Sequence, residues 1–388
     1  MFRIQTMNTI SAKGLELFSR ERYEVACDLP NPDAILVRSG DLHGLSLPSS
    51  LKAIARAGAG YNNIPVKECS TQGIVVFNTP GANANAVKEL VLASLLLSSR
   101  GISDGIQWAL SIANQADQVP DIVEKEKTRF AGPEIKGKTL GIVGLGAIGV
   151  MVANDAIALG MNVIGYDPYI SVEAAWNLSR QVIRADSLEG LLSKADYTTL
   201  HVPLSAHTKG FFDAEKLRLM KRGARLLNFA RGGLVNEGEL IEALNTNLLS
   251  CYVTDFPSAE LLGCPKVICI PHLGASTPEA EENCALMAVQ QLIGFLEEGS
   301  IRNSVNFPVC RLDRNGAFRI VIINRNIPNM VGQITTILAS AGINIVNMIN
   351  QSRDEYAYNI IDTEQKIPES SMRFLRAVDG IIRIRLLE

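Results

Sequence analysis

Three ionisable residues stand out in this 388-residue chain for their types and placement: Arg231 in "NFARGG", Glu260 in "FPSAELL" and His272 in "PHLGAST". A guanidinium can fix a carboxylate, an imidazole can take a hydroxyl proton, and a carboxylate can orient that imidazole. Together they would suit removal of a hydride from an alcohol carbon beside a carboxylate. Each alone has a plainer reading. An arginine before two glycines can neutralise a neighbouring acid, and a histidine between proline and leucine can be a satisfied structural side chain. A fourth residue, Asp255 in "VTDF", lies five positions before Glu260.

"GIVGLGAIG" sets Gly144, Gly146 and Gly149 in G-x-G-x-x-G spacing, between an apolar strand and a helix. Glycines suit that turn because it is tight, a pyrophosphate must approach bare backbone, and the helix N-terminus supplies N–H groups. Ala147 and Ile148 complete the turn. The next strand, "NVIGYD", ends in Asp167. An acid there accepts both ribose hydroxyls of NAD and would repel a 2′-phosphate, so NAD is favoured over NADP.

The elements that must carry these residues alternate strand and helix. Strand-like runs at 34–38 and 74–78, with an apolar-sided helix at 85–99, suggest a parallel sheet. From Thr139 the alternation becomes dense, with strands "TLGIVG", "MNVIGYD", "YTTLHV", "ARLLNFA", "SCYVTDF" and "VICI", and helices at 147–159, 187–194, 213–220 and 237–245. That is a doubly wound pattern, and it places Arg231, Asp255 and His272 just beyond strand ends, where such sheets bind ligands. His201 and His207, in "TLHVPLSAHT", read as scaffold at the cofactor's edge, and His43 as a surface loop residue.

A helix over 278–298 leads to "SIRNSVNFPVCRLDRNG", whose polarity, Pro308 and Gly316 suggest a boundary. Residues 317–388 then predict strand 317–323, helix 330–341, strand 343–350, strand 356–362, helix 368–378 and strand 380–387. This is the βαββαβ order of a ferredoxin-like module. The expected fold class is therefore α/β, with Rossmann-like and flavodoxin-like doubly wound domains and a small third domain. The expected boundaries are 1–84, completed by 283–312, for substrate, then 85–282 for NAD, then 317–388.

Charge and composition exclude several classes. The net charge of −3 leaves no footprint for nucleic acid or an anionic membrane, and no secretory leader or long apolar span is read, so the protein is expected in the cytoplasm. Seven cysteines without a Cys-x-x-Cys pair or a nearby histidine cluster suggest buried reduced thiols and no metal site.

Taken in order, "AGAGYNNIPV", "NTPGANANAVKEL", "VGLGAIG", "GYDP", "LHVPLSAHT", "NFARGG", "TDF", Glu260 and "PHLGAS" resemble the NAD-dependent D-2-hydroxyacid dehydrogenase family over about residues 34–310. The resemblance implies that Arg231, Glu260 and His272 are the catalytic set, with Glu260 raising the histidine pKa. It also implies that Asp255 contacts the nicotinamide carboxamide. Cofactor contacts are implied at His201, Val202, Pro203, Thr208, Ala230, Arg231, His272 and Gly274. Many family members have a longer stretch between the glutamate and the histidine.

The tail, through "NRNIPNMVGQITTILASAGINI", resembles an ACT domain, which implies an amino-acid effector, L-serine, held by Asn326 and Asn344. Asn324 stands where some such domains have histidine, and a dimerisation module without ligand is the alternative. A phosphorylated 2-hydroxy acid is the implied substrate, with Arg38 on the phosphate, Arg56 a second candidate, and the backbone of Ala59 and Gly60 on the carboxylate. A homodimer or homotetramer is expected. Two other readings fit the same residues: a hydroxypyruvate or glyoxylate reductase of this family, and a non-catalytic NAD-sensing regulator.

Overall fold

The computed structural model describes residues 1–387, which form two compact units: Met1–Asn83 together with Pro278 onward, and Ala84–Thr277. In the first unit the chain begins with β1 (Phe2–Met7), α1 (Ala12–Leu15), β2 (Tyr23–Ala26), β3 (Ala34–Val37), β4 (Ala53–Arg56), α2 (Val66–Thr71) and β5 (Val75–Phe77). The strands are parallel in the order β2-β1-β3-β4-β5, a flavodoxin-like arrangement. β3 and β5 are buried at every residue, as strands covered on both faces must be, which is why they read as unbroken apolar runs.

The second unit runs α3 (Ala84–Ser99), α4 (Ile102–Ser111), α5 (Val119–Glu126), β6 (Thr139–Val143), α6 (Ala147–Ala158), β7 (Asn162–Tyr166), α7 (Val172–Asn177), β8 (Ile183–Arg184), α8 (Leu188–Leu192), β9 (Tyr197–Leu200), α9 (Ala214–Leu219), β10 (Ala224–Asn228), α10 (Glu237–Asn245), β11 (Leu249–Thr254), α11 (Ala259–Leu262) and β12 (Val267–Cys269). Its seven parallel strands take the order β12-β11-β10-β9-β6-β7-β8, so the sheet reverses direction between β6 and β9. That reversal is the Rossmann switch point, and ligands bind outside the carboxyl ends of the strands there. Neither α4 nor α5 buries a residue.

The chain re-enters the first unit through α12 (Pro278–Glu298), followed by β13 (Phe318–Arg325), α13 (Met330–Ser340), β14 (Ile345–Arg353), β15 (Tyr356–Thr363), α14 (Glu369–Ala377) and β16 (Ile381–Leu387). The antiparallel order β14-β15-β13-β16 is the ferredoxin-like topology. One sheet face packs under α13 and α14 through Ile320, Ile322, Ile334 and Leu375. The other joins the core of the first sheet, where Val321, Ile323, Tyr358 and Ile360 share a cluster with Leu292, Phe295 and Phe77. Arginines satisfy the carbonyls that end α12: Arg385 donates to Phe295 O and Leu296 O at 3.1 and 2.8 Å, and Arg319 to Glu298 O at 2.9 Å.

The segment 300–316 is not a linker. Ile301, Phe307 and Cys310 are buried, and Asn306 accepts from Val76 N and donates to Ile74 O, both at 2.9 Å, so its polarity serves the free edge of β5. All seven cysteines are unpaired, but Cys27 is exposed, unlike the buried thiols expected. Among the described residues no helix is long and apolar enough to cross a membrane.

Candidate active site

Six candidates in the second unit follow the carboxyl ends of strands, Gly144 after β6, Asp167 after β7, His201 after β9, Arg231 after β10, Asp255 after β11 and His272 after β12, whereas Glu260 lies in α11. The glycine turn is built by sterics. Gly144 has φ +95°, and a Cβ there would sit 2.7 Å from the carbonyl oxygen of His201. A Cβ on Gly149 would sit 2.0 Å from the carbonyl oxygen of Gly144, so both positions exclude side chains. Gly146 differs, because a Cβ there would meet nothing within 4 Å. It begins α6 without a side-chain cap, so no side chain takes the first-turn N–H groups, which fits a phosphate.

Asp167 is fixed by backbone donors, Leu145 N to Oδ2 and Tyr169 N to Oδ1, both at 2.8 Å. Its remaining lone pairs suit a diol. The His201 ring accepts or donates at Nε2 to Thr199 Oγ1 at 3.1 Å, while Nδ1 is enclosed without a partner. Burial pushes its pKa down to about 4, so the ring is neutral near pH 7. Val202 is half-buried beside it and Pro203 is exposed. Thr208 donates to Pro203 O at 2.6 Å, so this hydroxyl braces its own turn.

Asp255 is 1% exposed, and its carboxylate is only half satisfied. Oδ2 accepts from Gly274 N at 3.0 Å, whereas Oδ1 has no partner. Burial raises its pKa, opposed by the Gly274 N–H and the charges of His272 and Arg231. An orphaned buried acceptor at this position fits the NH₂ of a carboxamide. Gly274 is required there, because a Cβ would lie 3.0 Å from Oδ2.

A pH dependence follows. Because burial raises the folded-state pKa, this carboxyl contributes stability only below its unfolded value of about 3.9 and loses it as pH rises through the raised value. Above that value the ionised oxygen would be free to accept from a carboxamide NH₂. Asp255→Asn must turn an NH₂ either to the Gly274 N–H or to the orphan position. NAD affinity is expected to fall about tenfold or more in the variant. The weakening of binding as pH falls through the raised pKa should disappear with it, as read by calorimetric titration across pH.

Arg231 donates to Ala230 O at 2.7 Å and is exposed. Its turn is held by Asn228, 1% exposed, which donates to Arg231 O at 2.9 Å and accepts from Ala230 N at 3.2 Å. Thr254 in turn donates to Asn228 O and accepts from Phe256 N. Neither Asn228 nor Phe256 was singled out by sequence, though both interrupt the pattern at a strand end. His272 is exposed, with its N–H shared between Asp255 O at 3.1 Å and Ile270 O at 3.0 Å and a left-handed φ of +34°. Its ring lies against Phe256, centroids 5.0 Å apart.

The expected contact between Glu260 and His272 does not form: no hydrogen bond or ion pair joins them among the described residues. Leu261, 1% exposed, plugs α11 into the core, and an adjacent helical position points about 100° away. Glu260 therefore projects to solvent. The helix is held instead by Ser258, which caps Leu261 N and donates to Glu237 at 2.6 Å.

In the first unit, Arg38 pairs with Glu281 at 2.5 Å. Arg56 donates to Arg38 O at 2.9 Å and to Gly60 O, and Asn78 donates to Ala59 O at 2.6 Å. Those carbonyls are drawn inward, so the planar peptides turn the N–H groups of Gly60 and Tyr61 the other way, as donors for an anion.

Asn326 and Asn344 lie at opposite ends of the tail sheet. Arg325 of β13 pairs with Tyr356, as Arg353 of β14 does, whereas Phe318 and Ile345 both pair with Thr363. One chain does not bring these asparagines together.

The fold and site define an α/β dehydrogenase scaffold, and residues 93–274 match the family model described as "D-isomer specific 2-hydroxyacid dehydrogenase, NAD binding domain". The chain belongs to the D-isomer specific 2-hydroxyacid dehydrogenase family. It is 34% identical over 330 residues to the D-3-phosphoglycerate dehydrogenase of Methanocaldococcus jannaschii, covering 83% of this chain and 60% of that protein. It is 32% identical over 357 residues to the enzyme of that name from Escherichia coli, covering 88% of this chain and 83% of that one. The NAD-bound 3-phosphoglycerate dehydrogenase of Entamoeba histolytica superposes with a TM-score of 0.61 at 26% identity, over 79% of this chain and 98% of that one. The chain spans 50–60% of the length of several of the relatives it matches.

Proposed function

We propose that the protein oxidises 3-phospho-D-glycerate to 3-phosphohydroxypyruvate, the first step toward L-serine, with NAD as hydride acceptor. The observation that carries the NAD site is the orphaned Asp255 Oδ1 at the same end of the sheet as an open glycine turn whose helix end carries no cap. NAD, which the glycine turn, Asp167 and Asp255 would hold, would supply the hydride acceptor for C2. His272 takes the hydroxyl proton, and Arg231 fixes the carboxylate and the oxygen that becomes a carbonyl. Asp167 accepts from the ribose, and a carboxylate there opposes the extra phosphate of NADP.

Arg38 holds the substrate phosphate in this reading, and the peptides after Ala59 and Gly60 offer N–H groups to the carboxylate. Arg56 serves as a brace for that loop, since its guanidinium is engaged on two carbonyls. The tail binds an amino-acid effector, L-serine. Because Asn326 and Asn344 stand about an eight-residue strand apart, roughly 25 Å, one effector touching both is held between two copies of the chain, which supports a homodimer or a larger homo-oligomer.

The test is NADH absorbance with 3-phosphoglycerate and with unphosphorylated D-glycerate. Arg38→Ala should raise KM for the phosphorylated substrate by about tenfold or more, as loss of a charge-assisted contact would, and leave D-glycerate unaffected. Absence of NADH with 3-phosphoglycerate would sink the reading, and inhibition by L-serine would support the tail's role.

A further inference from the structure

We infer that Glu281 is a specificity-determining residue: an internal counter-ion that occupies Arg38 until an anionic group of the substrate displaces it. The inference rests on the proposed role of Arg38 in holding a phosphate. The Arg38 Nη2 to Glu281 Oε1 distance is 2.5 Å, and the two side chains are 38% and 40% exposed, so water and solutes reach the pair. The main chain at Arg38 is pinned by Arg56 through its carbonyl, which leaves the guanidinium as the movable part. An ion pair this exposed is weak, so displacing it is feasible and costs at most about fivefold in affinity.

The alternative partner explains why a carboxylate is there. A guanidinium makes its strongest contacts with phosphate and carboxylate groups in the same forked geometry, so a glutamate imitates the ligand. A doubly charged phosphate group outcompetes the single carboxylate, whereas a neutral hydroxymethyl group cannot. A substrate without a terminal anion leaves the pair intact, so Glu281 sets the affinity for terminal anions alone and moderates selection by the same arginine.

The neighbouring turn of α12 supplies a control. Glu282 carries the same charge one residue further on but pairs with Lys13 at 2.6 Å instead. Glu281→Gln is expected to lower KM for 3-phosphoglycerate two- to fivefold with kcat unchanged, while Glu282→Gln leaves KM as it is. In the Arg38→Ala background, adding Glu281→Gln should change nothing further. An unchanged or raised KM in Glu281→Gln overturns the inference, as does an equal fall in Glu282→Gln, which would mean a general field effect.

Thermal unfolding of both variants identifies any loss of fold. If the wild-type chain oxidises no phosphorylated hydroxy acid, the functional reading fails. The Glu281 inference is then decided by calorimetric titration with inorganic phosphate, which must bind Glu281→Gln more tightly than wild type and Glu282→Gln.

Discussion

His272→Asn is expected to lower kcat for 2-hydroxy-acid oxidation by about 10²–10⁴-fold, the usual contribution of a positioned general base, while Glu260→Gln stays within about twofold. The first half follows from placement: His272 is the exposed imidazole at the end of β12, next to the acid assigned to the cofactor amide. The second half departs from the resemblance to the family. Glu260 points to solvent because Leu261 is the residue that seats α11, and nothing in the described residues links its carboxylate to the imidazole. The ring packs instead against Phe256 in a tilted arrangement, and the backbone of His272 is held by an N–H shared between two carbonyls. Phe256→Ala should accordingly cost more in kcat than Glu260→Gln. Steady-state rates at saturating NAD for the three variants decide the matter, and a fall of more than tenfold in Glu260→Gln would restore the glutamate to the site.

Arg319→Met is expected to destabilise the first unit by about 3–5 kcal/mol, the cost of leaving a buried charge without its partner. Both side chains of the Arg319–Asp362 pair are fully buried, with Nε to Oδ1 at 2.6 Å and Nη2 to Oδ2 at 2.9 Å. Burial alone would raise the Asp362 pKa, but the hydrogen bonds from Arg319 and from Asn315 N override it and hold the carboxyl below its ordinary value. The methionine would leave that carboxylate unpaired and strip Glu298 O, at the end of α12, of its donor. Replacing both members by apolar residues, as in Arg319→Met with Asp362→Leu, should recover much of the loss. Urea unfolding reads the difference. A loss below about 1 kcal/mol in the single variant would mean that water reaches the pair.

Much of this architecture was legible from sequence where the pattern was strong. The tail's six elements fall within three residues of their expected ends, because its strands are rich in isoleucine and its helices carry an apolar side. The glycine turn was legible because sterics allow only glycine at two of its three positions.

What escaped had physical reasons. β4, "AIAR", is short and almost wholly buried, so it shows no alternation, and α4 and α5 bury nothing, with Ile106 and Leu110 of α4 left exposed. The orphaned oxygen of Asp255 is a property of its surroundings, not of its residue type. The distance between Asn326 and Asn344 is set by strand register, and the orientation of Glu260 by which neighbour on a four-residue helix finds the core.

The discontinuous first unit has a consequence for how the chain is made. Its parallel sheet is complete by Phe77, yet α12 and the inner face of the tail sheet, which close its core, follow some 200–300 residues later. At synthesis rates of roughly 5–20 residues per second, the five strands wait about 10–60 s for their cover. The second unit, continuous in sequence, can fold during that interval. Nascent β1–β5, with one apolar face bare, is therefore the stage at which a chaperone would be most needed, and a ribosome-bound chain stopped near residue 277 should present one folded unit and one half-covered sheet to a protease.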